Sequence, residues 1–348
     1  MRQTLFRISF DASVPTPWGN IPLFGFGLLL VLLAAITVVR LIPYVRKHGF
    51  DGTATERLIT AVMFGAVLHQ LPNWVESLPV FGFGAMLLLG FLAAGWLGGI
   101  RAQREGFSPE LTWDVAMWVF IPGIIGARMF SVIENWSKYT QGKTPLETIT
   151  ALFNLPEGGL VLYGGVILGG ISYFAYCRRK KISALYLADM IMPSIFVGEM
   201  FGRLGCFLNG CCFGDPTGLP WGVCFPVESF PFNQEVANGE ILAQASCSLP
   251  LHPTQLYSSF NALTLALLTW FYFPFRRKDG EVLLLGWTIY PLTRICLEFL
   301  RDEPGKFGTS FTIAQWVSVG MLAGALLFRL YLTRKPEQYP GLLAHPAS

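Results

Sequence analysis

The chain has 348 residues, of which 53% belong to the AVILMFWYC set and only 14% are charged, with a formal net charge of +3 and a mean hydropathy of +0.49. Soluble domains carry about 25% charged residues, so the composition excludes an ordinary soluble globular protein. The net charge says little about partners, because the basic residues are unevenly spread, and no nucleic-acid partner is expected.

Taken in chain order, residues 1–20 have neither an apolar core nor a small-residue cleavage site, so the first hydrophobic segment is expected to be kept as a helix. Long apolar runs follow at Ile21 to Ile42, Val80 to Ile100 and Gly158 to Cys177, each close to the roughly 20 residues a helix needs to cross about 30 Å of hydrocarbon. The full pattern predicts an all-α polytopic membrane protein of about nine transmembrane helices. Their spans are 21–42, 56–74, 80–100, 112–134, 159–177, 184–208, 252–273, 281–300 and 313–333.

Basic residues cluster in alternate loops: Arg46 and Lys47, Arg101 and Arg104, Arg178 to Lys181, Arg276 to Lys278, and Arg334 with Lys335. The loops 71–79 and 209–251 contain no lysine or arginine. The positive-inside rule therefore predicts a cytoplasmic C-terminus, and places the N-terminus and the 209–251 loop outside.

A duplication is visible near the start. NIPLFGFGLLL (Asn20 to Leu30) aligns without a gap on SLPVFGFGAML (Ser77 to Leu87), and a Gly-Phe pair follows at the same offset, Gly49-Phe50 and Gly106-Phe107. Residues 1–78 are accordingly expected to form a two-helix extension, 79–334 the membrane core and 335–348 a tail.

Two segments carry chemistry. In the sixth predicted span, Glu199 and Arg203 are four residues apart on one helical face. In the eighth, Tyr290, Arg294, Glu298 and Arg301 recur at spacings of four, four and three, forming one polar stripe on an apolar helix. An arginine inside a bilayer costs about 2.5 kcal/mol or more and faces a cavity or a partner. Either ion pairs that only hold helices together or a pocket for an anionic lipid headgroup would satisfy this pattern, and a guanidinium matches phosphate bidentately.

Several other residues are weaker candidates. The glycines of GGLVLYGGVILGG, including Gly164 and Gly165, suit close helix packing or room for a headgroup beside Tyr163. His252 and Gln255 lie at the start of the seventh span. Cys206, Cys211 and Cys212 have C-x4-CC spacing, with Cys224 and Cys247 further along. A closed zinc site needs about four ligands, and His252 is the one histidine nearby, so no metal is expected. An extracytoplasmic location permits a disulfide, with Cys211 or Cys212 pairing with Cys224 or Cys247.

GRLGCFLNGC, HPTQLY, LYGG and the Tyr290 and Arg294 stripe occur in the order and spacing of the prolipoprotein diacylglyceryl transferase family, which the chain resembles from about Pro79 to Arg334. The resemblance covers seven of the nine predicted spans, with the N-terminal pair as an addition. It implies a bacterial inner-membrane enzyme that moves the diacylglyceryl group of phosphatidylglycerol onto the lipobox cysteine thiol of a prolipoprotein, releasing glycerol phosphate. It further implies Arg203 and Arg294 as the essential arginines. Tyr290, Tyr163, Glu199 and His252 are the accompanying catalytic candidates. Substrate-contacting candidates are Gly164, Gly165, Phe83, Cys206, Asn209, Gly210, Cys211, Gln255, Glu298 and Arg301. No cofactor is implied. The chain departs from the family pattern at Cys206 (usually asparagine), Cys211 (usually glutamate), Tyr163 (usually histidine) and Phe83 (usually tyrosine). Those departures leave open a transferase with another acceptor, or a non-catalytic protein that binds or transports anionic lipid.

Overall fold

The structure is a computed structural model and describes residues 4–9, 13–16, 19–22, 28–49, 55, 58–63, 65–66, 77–137, 161–301 and 311–339. The chain forms two compact units, Arg2–Ala85 and Met86–Ser348.

The first unit holds β1 (Thr4–Ser9), β2 (Ser13–Thr16), β3 (Gly19–Pro22), α1 (Leu28–His48) and β4 (Ser77–Phe81). β1 pairs antiparallel with β4, with Ile8 opposite Leu78, and β2 and β3 form a hairpin with Thr16 opposite Gly19. These strands correct the all-α expectation for the N-terminal segment. β1 reads TLFRIS, rich in residues that suit a pleated surface, but it needs a partner some seventy positions away that local pattern cannot name. α1 ends at Gly49, whose φ is 76°, and α2 (Gly82–Arg104) is followed by Gly106, whose φ is 80°. Left-handed backbone at the end of a helix favours glycine.

The second unit continues α2 and adds α3 (Glu110–Glu134), α4 (Leu162–Lys180), α5 (Ala184–Asn209), α6 (Phe230–Asn238), α7 (Thr254–Tyr272), α8 (Glu281–Glu298) and α9 (Ile313–Thr333). α5 packs against α7, α8 and α4, while α3 pairs with α4 and α8 with α9. Leu187, Met190, Met192 and Phe196 of α5 share one core with Leu265 and Ala266 of α7, Val282 of α8 and Tyr176 of α4.

The expectation of about nine transmembrane helices is overturned. Among the described residues four helices are long and apolar enough to cross a membrane: α2, α3, α5 and α9. α8 carries Glu281, Arg294 and Glu298 within its 18 residues. α4 ends in Arg178, Arg179 and Lys180, and α7 opens TQLYSSFN. The polar residues that make these helices interesting are the ones that dilute their apolar runs. In α1 the apolar helical stretch is limited to Leu33–Pro43, and the predicted span 56–74 lies largely outside the described residues.

The glycines of α4 have a packing role. A Cβ on Gly164 would strike the Gly126 carbonyl and the Phe130 side chain, and one on Gly126 would strike the Gly164 carbonyl. The α3 and α4 backbones therefore meet at two facing glycines, as small residues allow. Gly170 of the same helix has nothing within 4 Å of where its Cβ would sit. Gly126→Val should destabilise the detergent-solubilised protein by about 2 kcal/mol or more, because the obstacle is backbone. Gly170→Ala should leave the unfolding temperature unchanged or slightly raised.

Candidate functional site

A buried aspartate sets the frame of the site. Asp189 of α5 is fully buried. Its Oδ2 accepts from the Gly280 N–H at 2.7 Å and its Oδ1 from the Leu283 N–H at 2.8 Å. These are free donors of the first turn of α8, where a carboxylate also complements the helix dipole. At about 1.5 Å rise per residue, Glu199 lies about 15 Å along α5 from Asp189, and Tyr290 lies about 15 Å along α8 from Gly280. The cap thus brings Glu199 and Tyr290 to one level on two helices running the same way. Gly286 lies between these levels, where an added Cβ would press on Met192 and Phe196 of α5.

At that level the two predicted stripes meet. Tyr290 and Glu199 interact electrostatically, and both Arg203 and Arg294 act on this pair. Arg203 Nη2 lies 3.6 Å from Glu199 Oε1, and Arg294 Nη2 lies 2.9 Å from Glu298 Oε2. Arg301 Nη1 lies 3.7 Å from the same Glu298 oxygen, and Glu298 Oε1 accepts from the Thr312 hydroxyl at 2.9 Å. The Glu298 side chain is wholly enclosed, whereas those of Arg203 and Arg294 remain 21% and 17% exposed. Neither arginine side chain is wholly enclosed, and a carboxylate lies beside each guanidinium.

Beyond α5 the chain turns sharply. Gly210, with φ 74°, caps the helix, and the Cys211 N–H donates to the Cys206 carbonyl at 3.1 Å. Cys212 is also left-handed, with φ 62°, an uncommon conformation for a residue with a side chain. The start of α7 holds the turn: Gln255 Nε2 donates to the Cys211 carbonyl at 2.7 Å and Thr254 Oγ1 to the Cys212 carbonyl at 2.8 Å. As a result the sulfurs of Cys206, Cys211 and Cys212 all lie within 4.8 Å of one another. The Arg301 and Arg203 charges act on the Cys212 thiol. Asn209 is exposed at the end of α5.

The disulfide joins Cys224 to Cys247, not either of them to Cys211 or Cys212. It closes the loop that carries α6, within which Glu235 is buried and accepts from the Leu249 N–H at 2.8 Å. Phe207, Phe213, Phe225 and Phe230 form a chain of ring contacts that runs from the end of α5 into the loop.

Other predicted residues fall elsewhere. His252 Nδ1 is 3.3 Å from the Tyr257 hydroxyl, which accepts from the Trp221 indole at 2.8 Å, so the histidine belongs to a small cluster with the loop. Tyr163 is 53% exposed in the first turn of α4. Gly164 and Gly165 face α3. Phe83 is exposed and belongs to the first unit. Asp189 and Thr312 escaped the sequence reading. A lone aspartate in the apolar run ALYLADMIMP was the available signal for the first, and Thr312, capping α9 in a capping box with Gln315, resembles an ordinary helix start.

These features define a multi-pass membrane protein that keeps cationic side chains from two helices together within its bundle. Residues 72–331 match the family model described as prolipoprotein diacylglyceryl transferase. The chain belongs to that family. It is 32% identical to the phosphatidylglycerol-prolipoprotein diacylglyceryl transferase of Clostridium tetani, over 74% of this chain and 96% of that protein. It is 28% identical to the enzyme of the same name from Rhodopirellula baltica, over 98% of this chain and 92% of that protein. With that of Acaryochloris marina it shares 32% identity over 75% of this chain and 90% of that protein.

Asp189→Ala would leave two buried backbone donors without their acceptor, at about 1–3 kcal/mol each. The variant should unfold at a clearly lower temperature in detergent, whereas Asp189→Asn, which keeps an acceptor oxygen, should lose about half as much.

Proposed function

We propose that this family member transfers the diacylglyceryl group of phosphatidylglycerol to the lipobox cysteine thiol of a prolipoprotein, forming a thioether and releasing glycerol phosphate. The observation that carries this reading is the pair of partly exposed side chains, Arg203 and Arg294, whose charges both act on Glu199 and Tyr290. The names of the relatives support the same donor and acceptor.

The lipid phosphate replaces or joins the carboxylates as an acceptor for Arg203 and Arg294. As the glyceryl C–O bond breaks, negative charge grows on the departing phosphate oxygen, where fixed cations stabilise it most. The acceptor sulfur attacks the same carbon as a thiolate, forming the C–S bond while the C–O electron pair leaves with the phosphate. The thiol proton needs an acceptor, because an ordinary thiol has a pKa near 8.5. Glu199 suits that role better than Tyr163 or His252, since it is the carboxylate between the two arginines. Arg203 and Arg294 hold the donor, Tyr290 lies near Glu199, and Glu298 positions Arg294 and Arg301. The basic loops support a cytoplasmic face at the Asp189 end, which puts the cysteine turn and the 209–251 loop at the outer leaflet. The aromatic loop segment is suited to receive the lipobox peptide.

Purified protein in phosphatidylglycerol vesicles with a lipobox peptide should yield a peptide heavier by one diacylglyceryl group, read by mass spectrometry. Arg203→Ala and Arg294→Ala should each reduce the rate by at least about 10²–10³-fold while unfolding cooperatively. Arg294→Lys should recover only part, since the charge returns without the planar fork. Lipid retention without a thioether product would replace this reading with a binding role.

A further inference from the structure

The expectation of no metal rested on too few ligands for a closed four-ligand site, and the fold brings three cysteine sulfurs together. From the geometry of Cys206, Cys211 and Cys212 we infer a three-thiolate site for a thiophilic divalent cation, Zn2+ in particular, beside the arginine cluster.

The three sulfurs lie within 4.8 Å of one another. Around a zinc ion with Zn–S bonds of about 2.3 Å, tetrahedral sulfurs are about 3.8 Å apart, so closing on a central ion requires movements of no more than about an ångström. A disulfide would use two of the sulfurs, bring them to about 2.05 Å and leave the third unused. Cys224 and Cys247 already satisfy one another, and the three clustered thiols are free.

The surrounding groups suit an ion. Left-handed backbone at Gly210 and at Cys212 folds the turn back over the end of α5, and the α7 side chains fix the carbonyls of Cys211 and Cys212. The ligands are thus held before any metal enters, as an outer shell does in metal sites. The Gln255 amide that holds Cys211 is 1% exposed, and its Oε1 has no hydrogen-bond partner among the described residues. A buried orphan acceptor calls for a donor, which a metal-bound water supplies. Three thiolates and Zn2+ make a complex of net charge −1, and Arg203 and Arg301 both act electrostatically on Cys212. As the ion binds, each thiol that still carries a proton releases it to solvent and no electrons are exchanged.

No histidine, aspartate, glutamate or fourth cysteine joins the group among the described residues. A zinc site with three protein ligands keeps one position open, the arrangement of catalytic rather than structural zinc. An external thiolate suits that position, and this one clause rests on the thiol acceptor proposed above.

The test uses the full-length protein, reduced and stripped of metal, titrated with Cd2+ and Co2+ as spectroscopic substitutes and with Zn2+ by elemental analysis. One equivalent should bind, with thiolate-to-metal charge-transfer absorption. Cys206→Ser and Cys212→Ser should each weaken binding by more than about 100-fold, beyond the usual effect of outer-shell changes. Cys296→Ser, an exposed cysteine, should bind as the parent does, and unchanged unfolding curves would show that the serine variants are folded. Absence of uptake by the folded reduced protein, or uptake that survives both serine substitutions, would overturn the site. Adding N-acetylcysteine should shift the Co2+ spectrum, and an unshifted spectrum would remove the open position. The titration is independent of lipid transfer, so an inactive protein that binds one ion would sink the proposed reaction and not the metal site.

Discussion

Two hydrogen bonds, from the Gly280 and Leu283 N–H groups to the buried carboxylate of Asp189, determine where α8 starts along α5. A helix sliding by one residue would move every side chain on it by about 1.5 Å and rotate it by about 100°. With the start fixed, Tyr290 meets Glu199 and the two arginines come to flank them. Packing of Met192 and Phe196 over Gly286 reinforces the register, but apolar contacts tolerate sliding more readily than a bidentate cap does. Ser259 and Asn261 of α7, donating to the Met200 carbonyl and the Thr293 hydroxyl, brace the third side.

The same constraint explains how so many charges are tolerated. A guanidinium withdrawn from water needs compensating partners, and a pair broken on one side is costly. Here Glu298 serves Arg294 and Arg301 together and is itself held by Thr312, so the cap of α9 is tied into the cluster. Glu199 and Glu298 thereby hold both guanidiniums in place.

At the end of α5 the molecule changes character. The Cys224–Cys247 bridge and the Phe207, Phe213, Phe225 and Phe230 contacts make the loop a compact body instead of a flexible connection. His252 is drawn into it through Tyr257 and Trp221. Cys206 and Cys211, two of the four positions that the resemblance marks as departures, converge with Cys212. Two departures that look unrelated along the chain therefore form one chemical feature in space.

Helical periodicity placed Glu199 with Arg203 and Tyr290 with Arg294 and Glu298, because i,i+4 spacing fixes a shared face whatever the helix packs against. Four motifs in order were enough to indicate the family. Hydropathy overstated the number of spans, since the apolar run read as 281–300 is a helix whose 18 residues include Glu281, Arg294 and Glu298. Strand β1, the partners of the loop cysteines, the role of Asp189 and the glycine contact between α3 and α4 depend on residues far apart in sequence, and nothing local distinguishes the true partner from its alternatives. The sequence by itself determined which groups share a helix face and which loops are basic. Only the tertiary structure decided which faces meet, because that choice is made by caps, close backbone contacts and shared carboxylates acting across the bundle.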